Sequence, residues 1–187
     1  MNENDGGMQF DVTVDPTEEP KDYYNPRELI IFAIECTESM FQSSTIGGDS
    51  PFKTSLQCCR SVLMKKIIGS SSDHVGILFF GTREKDVGDQ YPKHVITFSE
   101  PSQPNAEIIK RIDSILKSPS NNDFNSKYGH SDDCSLSDVL WRCSSLIGRC
   151  NVKINIKKIM LFTCNESPHE DSPPKQHQVR KRCEDLE

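Results

Sequence analysis

Three largely apolar runs, of which the first is continuously apolar, constrain the fold of this chain more than any other feature of its sequence. They are residues 29–34 (LIIFAI), residues 74–80 (HVGILFF) and residues 158–163 (KIMLFT). Each has the length of a strand and is rich in β-branched or aromatic side chains, which is typical of strands buried on both faces. A shorter run, residues 94–98 (HVITF), alternates as a strand at the edge of a sheet does.

The segments between these runs carry helix signals. Two of them place apolar residues three or four positions apart, which predicts one buried helix face in each. These residues are Leu56, Cys59, Leu63 and Ile67 in the first helix, and Ile108, Ile112 and Ile115 in the second. Ser50-Pro51 predicts the start of the first helix and Gly69 its end.

A third helix is predicted after residue 135, because Ser135 and Asp138 form a pair that resembles a capping box. Trp141 in this helix is expected in the core. Residues 119–133, rich in Asn, Ser and Asp, are predicted to be a loop. The polar segment after the last apolar run has helical potential.

Strands that alternate with helices predict an α/β fold with a doubly wound, mostly parallel sheet covered on both faces. Such sheets usually contain five or six strands, whereas only four are found here. We therefore expect residues 29–187 to form a C-terminally incomplete, truncated domain with an open edge beside the last strand. Residues 1–28 are predicted to be an acidic disordered arm, since they hold eight acids and only two bases.

The charge distribution limits the function. The chain has 28 acids and 22 bases, which leaves 20 of each in residues 29–187. A domain that grips phosphate is normally basic, so we expect weak direct binding to nucleic acid and identify no DNA-binding residues. No stretch approaches the ~20 apolar residues of a membrane span, and the N-terminus lacks the pattern of a secretory signal. The eight cysteines are accordingly predicted to be reduced thiols.

The loop after the first strand is the most informative candidate site. Glu35-Cys36-Thr37-Glu38-Ser39 is close to Asp-x-Ser-x-Ser, the metal-binding loop of von Willebrand A-type domains. The acid is one methylene longer here, and a second acid expected after the fourth strand is missing, since Thr163 is followed by Cys164 and Asn165. We therefore predict that this degenerate metal loop is unoccupied by Mg²⁺. Its residues are Glu35, Thr37, Ser39, Thr163 and Asn165. Thr37 and Ser39 are expected to cap the loop through backbone hydrogen bonds.

Signatures of enzymes are absent from the sequence. It contains no G-x-G-x-x-G, no G-x-x-x-x-G-K-[ST], no G-x-S-x-G and no H-E-x-x-H. We predict a non-enzymatic protein with no catalytic residues and no cofactor.

Several longer segments resemble one family. They are Pro51-Phe52, residues 56–58, residues 79–82 with 84–86, residues 129–141 and residues 158–163 with Pro168-His169. In this order they resemble the Ku family, in particular the N-terminal von Willebrand A-like domain of the seventy-kilodalton subunit of the Ku heterodimer. The similarity runs from about Tyr23 to His169.

The resemblance implies a nuclear protein of double-strand break repair by non-homologous end joining, with roles in DNA recombination and telomere maintenance. It implies three kinds of partner: the larger Ku subunit, end-joining repair proteins and double-stranded DNA ends. In that family a central barrel encircles the DNA, and the A-like domain offers a peripheral surface to other proteins. The barrel has no counterpart in these 187 residues. One alternative is a metal-dependent adhesion-type A module, which the altered metal loop disfavours. The other is an enzyme on the same scaffold.

Overall fold

The computed structural model describes residues 26–43, 48–69, 72–118, 121–169 and 171–186. Its strands are β1 Glu28–Glu35, β2 His74–Phe80, β3 Val95–Ser102 and β4 Ile156–Phe162. Its helices are α1 Glu38–Phe41, α2 Pro51–Gly69, α3 Ala106–Leu116, α4 Asn122–Lys127, α5 Leu136–Gly148 and α6 Pro173–Glu184. The arm predicted for residues 1–28 lies outside the described residues except for residues 26–28.

The four strands form one sheet in the order β3-β2-β1-β4. Strand β1 runs parallel to both β2 and β4, whereas β3 is antiparallel to β2. The predicted mostly parallel α/β sheet is confirmed. Since β1, β2 and β4 point the same way, their carboxyl ends meet at one edge of the sheet.

Strand β1 supplies side chains to both halves of the core. Ile30, Phe32 and Ile34 face the layer that contains α2 and α3, and Leu29 and Ile31 are among those that face α5. All of these side chains are at most 3% exposed. Fully burying one such side chain stabilises a fold by roughly 1.5–3 kcal/mol, which explains why this strand lies at the centre of the sheet.

Ion pairs stabilise the opposite end of the sheet, where β1 begins. The ammonium of Lys66, near the end of α2, donates to the carboxylates of Glu28 and Asp73. Lys158 of β4 forms an ion pair with Glu28. The end of α2 therefore lies beside the start of β1, and α2 begins near the carboxyl ends of the strands.

Two predictions about the region from residue 119 to residue 141 are wrong. The predicted loop contains α4, which forms because Phe124 and the adjacent Tyr128 are buried at 6% and 7% exposure. Trp141 is 36% exposed, whereas the neighbouring Arg142 is 1% exposed. The Arg142 guanidinium turns inward to the carboxylate of Asp86, at 2.9 Å, so the core face of α5 differs from the predicted one.

The last strand also differs from expectation. The apolar run at residues 158–163 is typical of a strand buried on both faces, but Leu161 within it is 39% exposed. Ile156, at the start of β4 and before that run, is 38% exposed. Its inward side chains Met160 and Phe162 are only partly buried. The reason is that β4 pairs with β1 alone among the described residues. No helix in the described part of the chain is long and apolar enough to cross a bilayer.

Candidate functional site

The candidate site lies at the carboxyl ends of β1, β2 and β4. Open α/β sheets bind their ligands at this edge. A small cavity of about 70 Å³ lies here. It is lined by twelve residues, of which the polar or charged ones are Glu35, Thr37, Asp132, Thr163, Asn165 and His169. Four of the five residues of the predicted metal loop are thus brought together, and Ser39 is not among the lining residues.

Glu35 is the last residue of β1 and is only 6% exposed. One oxygen of its carboxylate accepts two hydrogen bonds, from the hydroxyl of Thr163 at 2.6 Å and from the backbone N–H of Cys164 at 2.9 Å. The carboxylate therefore joins the end of β1 to the loop after β4. Both bonds end on the same carboxylate oxygen, Oε2.

The two hydroxyls of the loop contact each other. The Oγ atoms of Thr37 and Ser39 are 2.9 Å apart. Thr37 occupies the N-cap position of α1, but its side chain makes no capping hydrogen bond there. The expected cap to the backbone is therefore wrong for Thr37, because its hydroxyl is paired with Ser39 instead.

The side chains after β4 are also used within the protein. The hydroxyl of Thr163 accepts from the backbone N–H of Asn165 at 2.9 Å. The side-chain oxygen of Asn165 in turn accepts from the N–H of Ser167 at 3.1 Å. Asn165 thus stabilises its own turn, as short polar side chains commonly do.

His169 lies in the same cavity and was not predicted as a site residue. Its Nε2 accepts a hydrogen bond from the backbone N–H of Leu136, the first residue of α5, at 3.1 Å. Burial and the nearby Lys175 lower the pKa of His169, which favours the neutral ring that this bond requires. The predicted capping box is therefore replaced: Ser135 makes no side-chain cap, and an imidazole from a distant loop serves instead.

A second histidine connects the loop before α5 to the loop after β1 through a hydrogen bond. His130 Nδ1 lies 2.7 Å from the carbonyl oxygen of Cys36, so this nitrogen carries the proton. The N–H of Ser131 donates to the carbonyl of Gly81 at 2.9 Å. Gly81 has φ +69°, and a Cβ atom there would lie 3.0 Å from Thr37. The loops after β1 and β2 and before α5 therefore form one hydrogen-bonded unit.

Several titratable side chains at this end of the sheet are engaged within the protein or protonated. Among the described residues, no group of three or more His, Cys, Asp and Glu side chains could hold a metal ion. Burial raises the pKa of Cys134 to about 11 and the pKa of Cys36 well above its usual range, so these thiols are protonated and weakly nucleophilic at neutral pH. Both imidazoles at this edge bind backbone groups.

Asp132 and His169 could not have been found from local patterns. Asp132 lies in the polar segment before α5, and His169 follows β4 by several residues. His169 and Leu136 are 33 positions apart, and no periodicity connects them. The signal available was topological: both loops are placed at the carboxyl edge of a parallel sheet.

The chain resembles known proteins over most of its length. Residues 29–187 match the model of the Ku70/Ku80 N-terminal alpha/beta domain. X-ray repair cross-complementing protein 6 of Mus musculus is 33% identical over 163 residues, which cover 87% of this chain and 27% of that protein.

Two relatives from other lineages are also similar to this chain. ATP-dependent DNA helicase 2 subunit KU70 of Oryza sativa is 30% identical over 76% of this chain and 24% of its own length. ATP-dependent DNA helicase ku70 of Dictyostelium discoideum is 25% identical over 98% of this chain and 21% of its own length. The chain thus spans about a quarter of the length of these relatives. It belongs to the family of the Ku70/Ku80 N-terminal alpha/beta domain.

Proposed function

We propose that this chain is the protein-binding N-terminal domain of a Ku-type protein that repairs DNA double-strand breaks by non-homologous end joining in the nucleus. The observation that carries the proposal is the family match across residues 29–187. A relative named for X-ray repair supports it. The proposed partners are the larger Ku subunit, double-stranded DNA ends and other end-joining proteins.

The domain acts without catalysis and without a metal ion. Relatives carry the name of helicase, but the carboxyl edge of this sheet offers no nucleophile with an adjacent base among the described residues. The Glu35 carboxylate is bound by Thr163 and Cys164. This geometry favours a structural role for the degenerate metal loop, in which the Glu35 carboxylate holds the loop after β4 in place.

The distribution of charge favours protein partners over DNA. Residues 29–187 hold equal numbers of acids and bases. Several bases are paired with acids on the domain surface or within it, including Arg60 with Asp113, Lys66 with Asp73 and Arg142 with Asp86. Paired bases contribute little to the counterion release that drives binding to phosphates.

The proposal is tested by competition in a cell extract that rejoins linear plasmid DNA. Excess 187-residue chain is expected to inhibit rejoining in a dose-dependent way, because it occupies partner proteins, while the occupancy of DNA ends by endogenous proteins stays unchanged. The double variant Thr37→Ala and Ser39→Ala is the matched control, and it should inhibit equally. Absence of inhibition would contradict the protein-binding role. Inhibition that requires the two hydroxyls and Mg²⁺ would instead support the adhesion-type alternative.

A further inference from the structure

A second, larger cavity lies on the α2–α3 face of the sheet. Its volume is about 320 Å³, within the usual range of pockets that bind small ligands or anchoring side chains. The aromatic cavity, as we call it, is lined by the rings of Phe41, Phe52, Phe98, Phe124 and Tyr128. Neighbouring rings contact one another, with centroids 4.3 Å apart for Phe41 and Phe52 and 4.8 Å apart for Phe52 and Phe124. Such a lining suits an aromatic side chain.

The rim of the aromatic cavity is positively charged. Lys53, Arg111 and Lys127 lie there, against the single acid Asp123. Arg111 is held over the ring of Phe98 at 4.3 Å and Lys127 over that of Tyr128 at 5.0 Å. The remainder of the domain has no net excess of bases. The cavity therefore matches an aromatic group flanked by carboxylates.

The chain itself contains a segment of this chemistry. Residues 8–15 (MQFDVTVD) alternate apolar and acidic or polar side chains, with Phe10 directly before Asp11. They belong to the N-terminal 28 residues, whose eight acids face only two bases. We propose that Phe10 occupies the aromatic cavity and that Asp11 and Asp15 pair with its basic rim. This inference does not depend on the proposed role in end joining.

The length of the arm permits this contact. Phe10 is 17 residues before Arg27, and 17 residues span at most about 60 Å. The cavity lies near the carboxyl ends of the strands, at the start of α2. The eight residues of β1 cover about 26 Å between the two edges of the sheet, so the arm reaches the cavity with slack.

Other described surfaces fit the segment less well. Helix α6 is basic but has no buried residue, and it offers no apolar cavity. The open cleft beside β3 is lined by the acids Asp86, Glu100 and Glu107 against the bases Arg111 and Arg142, a net negative charge that repels an acidic segment. The aromatic cavity, in contrast, combines an apolar floor with a basic rim.

Photocrosslinking tests the proposal in the full chain. p-Benzoylphenylalanine replaces Phe10, and the matched control carries it at position 2, outside the docking segment. Position 10 is expected to crosslink within the same chain to peptides that contain α2 or α4, at a yield at least fivefold above the control. The double variant Lys53→Glu and Lys127→Glu changes exposed or half-exposed side chains, and it should reduce that yield severalfold while circular dichroism remains unchanged.

Three results would overturn the proposal. The first is a yield at position 10 equal to that at position 2. The second is crosslinking mainly between chains, seen as covalent dimers, which would make a second copy the occupant. The third is a yield that does not respond to the charge reversals.

Discussion

Substitutions of Glu35 give the sharpest test of the structural role of the degenerate metal loop. Its carboxylate is buried and accepts two hydrogen bonds that join β1 to the loop after β4. Hydrogen bonds to a charged group contribute ~1.5–3 kcal/mol each. Replacing Glu35 with Ala leaves the donors of Thr163 and Cys164 without their acceptor, and we expect a loss of about 3 kcal/mol. Glu35→Gln keeps one oxygen acceptor and should cost about 1 kcal/mol.

Thermal unfolding measures this difference. For a domain of this size ~1 kcal/mol shifts Tm by roughly 2–4 °C, so Glu35→Ala should melt about 6–12 °C below the wild type. If the site held Mg²⁺ with a Kd near 50 μM, adding ~5 mM Mg²⁺ would stabilise the protein by about 2.7 kcal/mol. We expect no such shift. A rise of several degrees with Mg²⁺ that disappears in Glu35→Gln would refute the structural role of this carboxylate.

Three further predictions concern other parts of the fold. Asp86→Asn removes the nearer charged partner of the buried Arg142 guanidinium and leaves only the exposed Glu100, at 3.7 Å, which should cost about 3 kcal/mol. Adding Arg142→Met should restore most of the loss. Chemical denaturation checks both variants, and a cost below ~1 kcal/mol would contradict the reasoning. The pKa of His169 is lowered in the folded state, so its contribution to stability should be full above pH ~6.5 and fall as the pH drops below that value, because the unfolded chain binds more protons there. His169→Asn, whose side chain tolerates the positive φ of 63° at this position, should flatten the dependence of Tm on pH between about pH 7.5 and 5.5. An identical slope in both proteins would count against the role of His169 as a cap of α5. The half-exposed edge of β4 should promote self-association of the chain. Leu161→Lys should therefore shift the sedimentation profile toward monomer. A wild-type protein that is already monomeric at high concentration would disprove self-association through β4.

The strands of the sheet could be predicted because each of them is marked by an apolar run in its own sequence. β2 matches the apolar run at residues 74–80, and β1 extends only one residue beyond residues 29–34 at each end. Continuous apolar sequence demands burial on both faces, and this demand is local to each run. The helix start at Pro51 and the end at Gly69 are likewise set by residues in the immediate sequence.

The parts that were missed depend on contacts between distant residues. Helix α4 contains one apolar residue, Phe124, and is held by rings from other elements. Arg142 turns inward because the carboxylate of Asp86, 56 positions earlier, accepts a hydrogen bond from its guanidinium, and Trp141 is exposed as a consequence. In the candidate site, the sequence pointed to Glu35, but its bond to the loop after β4 became visible only once the two strand ends were placed side by side.

We propose that this domain serves protein contacts and does not itself hold DNA ends. Fluorescence anisotropy with a labelled linear duplex, competed by circular or linear unlabelled DNA at ~150 mM salt, tests it most directly, since weak phosphate contacts are screened under these conditions. We predict weak binding of the 187-residue chain with no preference for linear over circular competitor. Tight binding that linear DNA displaces and circular DNA does not would contradict the account.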